Sequence, residues 1–204
     1  MKTAFLIPIV TLAGLALAVP TLTAARTPSA PVTPAKAVTY HVDPVHSAIL
    51  FSTMHMNTAR AYGRFNEFSG QFTLDTEKPE ASKVAIAIKM ESVDTANTGR
   101  DDHLRGPDFF DVKEFPSATF TSTKVERKGD KAWHVTGTLN LHGVKKEVVI
   151  PMEQTGEGKG RNGEVLIGFH GTFAIQRSDF GIKYGLGMLG DEVTLILSVE
   201  AAAK

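Results

Sequence analysis

The chain has 204 residues, of which 42% are hydrophobic and 22% are charged, a composition typical of a globular protein. Lys plus Arg and Asp plus Glu number 22 each, which argues against a nucleic-acid-binding protein, because such proteins carry a basic surplus. The sequence has no cysteine, which excludes disulfide scaffolds, Cys₄ zinc sites, iron–sulfur clusters and thiol catalysis.

Residues 1–25 have the pattern of a secretory signal peptide. Lys2 precedes an apolar run over residues 4–18, and small residues suited to cleavage follow it. A retained anchor is the alternative, but a spanning helix needs about 18 or more unbroken apolar residues. Residues 26–37 hold three prolines among small residues and predict an extended linker before a domain at 38–204. We therefore expect export, which in a bacterium means the periplasm.

From residue 38 onward, apolar residues recur with a period of two, which predicts strands with one buried face. The predicted strands cover residues 47–55, 65–74, 84–90, 118–126, 132–142, 144–153, 164–175 and 193–201. His142 and Gly143 alone separate two of these runs and predict a tight hairpin. Gly70 predicts a bulge or bend within its strand. Residues 156–163 predict a hairpin tip.

Residues 94–112 lack this alternation. Asp94 or Thr95 is expected to cap a short helix that ends before Gly106 and Pro107. Two rings follow that break, at residues 109 and 110, and at least one is expected to face a barrel mouth. We interpret residues 100–110 as a helix or lid over the opening, and the apolar loop at residues 186–189 is a candidate to stand opposite it.

Eight strands joined by short turns predict a closed antiparallel barrel or a sandwich. An outer-membrane barrel is less well supported, because three Tyr and one Trp cannot form strong aromatic girdles. A soluble barrel with an apolar interior is favoured. An interior filled by its own side chains is the alternative, because barrels of this size are often packed solid.

Two segments match G-x-G-x-x-G, at residues 158–163 and 185–190. Both lead into strands rather than helices, so they are interpreted as loops at the barrel ends and not as dinucleotide sites. The histidines are scattered and predict no metal site. Arg177 and Asp179 lie two residues apart and are expected to pair, either as a structural clasp or as a polar rim for a ligand head group.

Several motifs in chain order resemble the YceI-like family of bacterial polyisoprenoid-binding proteins. They are YHVDPVHS at 40–47, GRFNEFSG at 63–70, RDDHL at 100–104 with FFD at 109–111 and FP at 115–116, GTLNLHGV at 137–144 and RSDFG at 177–181. The ordered set covers essentially the whole domain.

The resemblance implies an eight-stranded, lipocalin-like barrel with a helix near one opening and a long isoprenoid or similar amphiphile inside. It implies no catalytic residues and no cofactor beyond this ligand, a polyisoprenoid lipid or an isoprenoid quinone. A binding or carrier protein is therefore expected rather than an enzyme, with links to stress or quinone-dependent respiration in some members. An enzyme acting on a bound lipid, with His55, His103 or Asp179 as acid–base groups, and a stress-related scaffold with a filled barrel are the alternatives.

Two groups of side chains are expected to bind the ligand. The apolar tunnel is predicted to consist of Phe51, Ile86, Ile88, Phe110, Phe120, Trp133, Val135, Leu139, Ile150, Phe169, Phe173, Leu195 and Leu197. The head-group rim is predicted to consist of Arg100, His103, Arg105, Arg177 and Asp179. The expected partner is an amphiphilic lipid and not a nucleic acid; transient membrane contact and a homodimer are compatible with this picture.

Overall fold

The computed structural model describes residues 37–203. The predicted signal peptide, residues 1–25, and the predicted linker up to residue 36 lie outside the described residues. The strands are β1 (Val38–Val42), β2 (Ala48–His55), β3 (Ala59–Phe65), β4 (Phe68–Leu74), β5 (Lys83–Lys89), β6 (Val93–Asp94), β7 (Ser117–Arg127), β8 (Ala132–Leu141), β9 (Val144–Lys159), β10 (Val165–Gln176) and β11 (Leu189–Ala203). One α-helix, α1 (Thr98–Arg105), precedes β7. Within this part of the chain, no helix is long and apolar enough to cross a bilayer.

Strand β1 closes the sheet, because it pairs with β4 on one side and with β11 on the other. Tyr40 accordingly lies opposite both Phe72 and Ala203. The pairs β1 and β2, β3 and β4, and β5 and β6 each share one position around the ring, so the eleven strands fill eight positions. The predicted eight-stranded antiparallel barrel with one short helix is confirmed.

The predicted continuous strand over residues 65–74 is wrong, because the chain breaks between β3 and β4. At the break, the backbone N–H of Asn66 donates to the Ser92 carbonyl at 3.1 Å, and that of Glu67 donates to the Ser92 hydroxyl at 3.0 Å. Gly70 forms no bulge, since β4 keeps one register against β5. A Cβ at Gly70 would overlap the Ile86 side chain, so glycine at this position makes room for that side chain.

The helix occupies a gap in the barrel wall, because among the described residues β6 pairs with β3 alone and not with β7. Its N-cap is Asn97, whose side chain accepts a hydrogen bond from the Arg100 N–H at 3.0 Å, and not the predicted Asp94 or Thr95. It ends at Gly106, as predicted. Side chains that follow the helix, including Phe110, pack on the core cluster around Phe65.

Two hairpins were predicted from their turn residues, one between β8 and β9 and one between β9 and β10. His142 and Gly143 have φ angles of 52° and 75°, the paired positive values of a type I′ turn, and the predicted tight β8–β9 hairpin is confirmed. The predicted tip at residues 156–163 is too wide, because β9 continues to Lys159 and the Gly160 N–H donates to the Glu164 carbonyl at 2.9 Å.

The inner face of the sheet carries the core, with Phe120, Trp133, Val135 and Ile150 all buried. The Phe120 ring fits against Gly137 on the neighbouring strand, where a Cβ would lie 2.5 Å from the ring and from the Thr121 carbonyl oxygen. Glycine at this position therefore lets a large ring enter the barrel.

We expect Gly137→Ala to lower the free energy of unfolding by about 1–3 kcal/mol, the usual effect of overpacking a core. Gly156→Ala is the matched control, because no atom lies within 4 Å of a Cβ at that position. Urea unfolding followed by circular dichroism measures both. Equal stability of Gly137→Ala and the parent protein would contradict the assigned packing.

Candidate ligand-binding cavity

A cavity of about 610 Å³ lies inside the barrel, within the range of small-molecule sites. Its wall is largely aliphatic and aromatic. Ten of the predicted tunnel residues line it: Phe51, Ile86, Ile88, Phe110, Phe120, Leu139, Ile150, Phe173, Leu195 and Leu197. The side chains of the barrel therefore leave this part of its interior unfilled.

A second, smaller cavity of about 110 Å³ accounts for the other predicted tunnel residues, Trp133, Val135 and Phe169. These three side chains do not line the large cavity, which corrects the expectation of one continuous tunnel. Four residues line both spaces and form a dividing layer: Ile86, Phe120, Ile150 and Leu197. Sequence alternation identified the inward face, but it could not locate a partition within the interior.

Polar side chains reach the large cavity at one end, which we call the mouth. The mouth lies where the β2–β3 hairpin, α1 and the loop between β10 and β11 meet. Its exposed polar lining residues are His55, Arg60, Tyr62, Arg100, His103 and Tyr184. Sequence analysis missed Arg60 and Tyr62 because β3 was not predicted before residue 65. The alternation of Arg60, Tyr62 and Arg64 with small residues was the available signal.

Three of the five predicted rim residues, Arg100, His103 and Arg177, line the cavity. Arg100 donates from Nε and Nη2 to the hydroxyl and the carbonyl of Thr95, each at 2.7 Å. His103 Nε2 lies 2.9 Å from the Asp108 carboxylate. Each of these side chains is thus already held in place at the mouth.

Arg105 and Asp179 do not line the cavity, contrary to the prediction. Arg105 donates to the carbonyls of Glu91 and Val93, each at 2.9 Å, and pairs with Asp102. It therefore anchors α1 to the edge of β6. Asp179 is exposed and lies 3.2 Å from the Lys146 ammonium.

Arg177 is buried, with 6% of its surface exposed, and the predicted pairing with Asp179 is wrong. Its guanidinium donates to four backbone carbonyls, those of Ile182, Tyr184, Leu189 and Gly190, at 2.8–3.2 Å. Burial lowers the pKa of Arg177, and the Asp191 carboxylate partly offsets that effect. The planar guanidinium of Arg177 thus binds both ends of the loop between β10 and β11, which borders the mouth.

The loop between β10 and β11 contacts the helix segment across the mouth. The Tyr184 ring centroid lies 5.1 Å from that of His103 and 5.3 Å from that of Phe109. Phe109 and Phe110 both line the cavity. The helix segment and the apolar loop therefore border one opening.

A separate polar cluster lies at the break between β1 and β2, where Asp43, His46 and Glu200 bring three potential ligand atoms within 4.8 Å of one another. Asp43 accepts hydrogen bonds from the Val45 N–H and from His46, each at 2.8 Å. The Asp43 carboxylate raises the pKa of His46. None of the three residues lines either cavity. These local hydrogen bonds stabilise the turn between β1 and β2, and this structural role accounts for the cluster.

We expect Arg177→Gln to destabilise the protein by about 3 kcal/mol, because buried carbonyls left without a donor cost about 1–3 kcal/mol each. Arg161→Gln, at an exposed turn, is the control and should have no measurable effect. Thermal and urea unfolding of both variants provide the comparison. A small loss for Arg177→Gln would mean that the four hydrogen bonds do not hold the loop.

Trp133 is the sole tryptophan and has 2% of its surface exposed. Its indole Nε1 is buried without a hydrogen-bond partner in the described part of the chain. We therefore expect emission at a wavelength well below that of tryptophan in water, with a red shift on unfolding. A solvent-like maximum from the native protein would place the ring on the outside and contradict the assigned strand face.

Comparison with known proteins gives three relevant findings. Residues 40–201 match the YceI-like domain family. A UPF0312 protein of Pseudomonas aeruginosa (strain LESB58) is 43% identical over 192 residues, which cover 93% of this chain and 96% of that protein. The crystal structure of BcnA from Burkholderia cenocepacia has a TM-score of 0.72 and 27% identity, covering 78% of this chain and 98% of that chain.

One further comparison concerns the fold alone. A polyisoprenoid binding domain from Saccharophagus degradans has a TM-score of 0.63 at 17% identity, and the match covers 83% of this chain and all of that one. The two solved structures share the fold over most of this chain.

Proposed function

The chain belongs to the YceI-like domain family, and we propose that it is an exported binding protein that carries a polyisoprenoid lipid or an isoprenoid quinone inside its barrel. The periplasm is the proposed compartment, on the basis of the leader pattern at residues 1–25. The polyisoprenoid binding attributed to the Saccharophagus degradans domain supports the proposed class of ligand.

One observation carries this proposal: a 610 Å³ apolar cavity with its polar side chains gathered at one end. This distribution matches an amphiphile with a long hydrocarbon tail and one polar head. Each methylene removed from water contributes about 0.8 kcal/mol, so a few isoprene units give strong binding without any polar contact to the tail. The tail would lie among side chains such as Leu139 and Leu195, with its end toward Phe120.

The head group would lie at the mouth. Arg60 and Arg100 provide guanidinium donors there, and His103 and Tyr184 provide further polar atoms. Such groups suit the carbonyl oxygens of a quinone or the oxygens of a phosphorylated prenol. Arg177 is already fully engaged with backbone carbonyls, so we assign it to the loop and not to the ligand.

A lipid-modifying enzyme is the competing function. At the mouth, the arrangement that most resembles an acid–base pair is His103 with Asp108, 2.9 Å apart. Among the described residues, however, the side chains that line the large cavity include no carboxylate. Asp179, one of the acid–base candidates from the sequence, pairs with Lys146 outside the cavity. Binding without chemistry is therefore the function that this geometry supports best.

Adjacent residues of β5 provide a test, because Ile88 lines the cavity and Ala87 faces outward. We expect Ile88→Trp to occupy ligand space and to reduce the lipid that is extracted from protein purified from its native host. Ala87→Trp should leave the amount unchanged. Mass spectrometry of the organic extract identifies and quantifies the lipid, and circular dichroism establishes that both variants fold.

Two results would contradict the proposal. One is an extract from the parent protein that contains no isoprenoid lipid above the level of a non-binding control protein. The other is equal lipid in folded Ile88→Trp and Ala87→Trp, since the ligand would then lie outside the cavity.

A further inference from the structure

The mouth is surrounded by exposed apolar side chains, which we call the mouth surface. They belong to two segments, the β2–β3 hairpin and the loop between β10 and β11. The members are Met56, Tyr62, Tyr184, Leu186 and Met188, and each exposes between 43% and 58% of its surface. Soluble proteins rarely group large apolar residues at one exposed place unless the place contacts a partner or a membrane.

The two segments form one continuous surface. The backbone N–H of Met56 donates to the Met188 carbonyl at 2.7 Å, which joins the tip of the hairpin to the loop. Tyr62 and Tyr184 also line the cavity, so the surface extends to the opening itself. The four hydrogen bonds from Arg177 hold the loop in this position. The exposed apolar residues therefore lie on two segments that hydrogen bonds hold in place.

The charge of these segments has one sign. Residues 54–64 and 181–190 contain Arg60, Arg64 and Lys183 and no Asp or Glu. In the described part of the chain, neither Arg60 nor Lys183 forms an ion pair within 4.0 Å. Two carboxylates lie near these segments: Asp108, which is 2.9 Å from His103 Nε2, and Asp191, which accepts hydrogen bonds from Ser178. Cations are thus in excess within the two segments themselves, although the charges of the whole chain balance.

We propose that the mouth surface docks on an anionic phospholipid bilayer, with the apolar side chains in the interfacial layer and the cations against lipid phosphates. Peripheral binding strengthens with buried apolar area and with attraction to anionic lipid, and this surface supplies both. Docking here places the opening of the cavity against the membrane. A prenyl tail then moves between bilayer and barrel without crossing water.

This docking rests on the proposed function, because a membrane-facing opening has a role only if the cavity takes up lipid. The test uses vesicles without any isoprenoid, so the result does not depend on transfer of a ligand from the vesicles into the cavity. We expect the purified protein to float with vesicles of phosphatidylcholine and phosphatidylglycerol, and to float less with phosphatidylcholine alone or at high salt.

The decisive variant is Met188→Asp, with Val149→Asp on the side of the barrel as its control. The two residues expose 53% and 49% of their surfaces. We expect Met188→Asp to weaken vesicle binding roughly ten-fold or more, because an apolar contact is lost and a repulsive charge is gained. Val149→Asp should bind as the parent does. Mass spectrometry establishes that the parent protein and both variants begin at the same residue. Any contribution of the amino terminus to vesicle binding is then the same in all three.

Three outcomes would overturn the docking surface: no flotation of the parent protein, equal binding of both variants, or vesicle-independent self-association that Met188→Asp abolishes. The last result would assign this surface to a second copy of the chain. Extractable isoprenoid without flotation would refute the docking alone. Flotation without extractable isoprenoid would refute the proposed function alone.

Discussion

Closure of the sheet by β1 is the constraint on which the rest of the structure depends. The five-residue strand Val38–Val42 pairs with β4 along one edge and with β11 along the other, and this turns a long antiparallel sheet into a ring. A ring of eight strands is just wide enough either to be packed solid or to hold one small ligand. Here both solutions coexist: buried side chains such as Trp133 fill much of one end, and a 610 Å³ cavity occupies the other.

Three of the eight ring positions are each divided between two strands. The breaks after β1, β3 and β5 let the chain change direction, and β6 stops short of pairing with β7. Helix α1 fills that gap in place of a strand, anchored by Arg105 on the carbonyls of Glu91 and Val93. Arg177 does the same for the opposite side of the opening. Arg105 and Arg177 thus hold the two sides of the mouth through backbone carbonyls, while Arg60 and Arg100 line the cavity, Arg100 being oriented by its hydrogen bonds to Thr95.

The repeating features of the fold were predictable and the interruptions were not. Alternation along β8 and β9 identified the buried face, and His142 with Gly143 identified the turn, because both signals are local. The break at Asn66 and Glu67 depends on hydrogen bonds to Ser92, a residue distant in sequence. Likewise, the spacing of Arg177 and Asp179 predicted an ion pair. The Arg177 guanidinium instead binds backbone carbonyls of the loop between β10 and β11, which the spacing alone did not reveal. Trp133 was correctly placed inside the barrel, but its separation from the large cavity depends on how Phe120 packs against Gly137.

The central claim is that a prenyl tail lies in the large cavity with its head at the mouth and its end toward the layer that includes Phe120. Trp133 lies beyond that layer and is the single tryptophan, so it reports which end of a ligand is deep. The most direct measurement is quenching of its fluorescence by two forms of one isoprenoid, with a nitroxide at the tail end or at the head. The account predicts stronger quenching by the tail label at equal occupancy. Equal quenching, or stronger quenching by the head label, would contradict it.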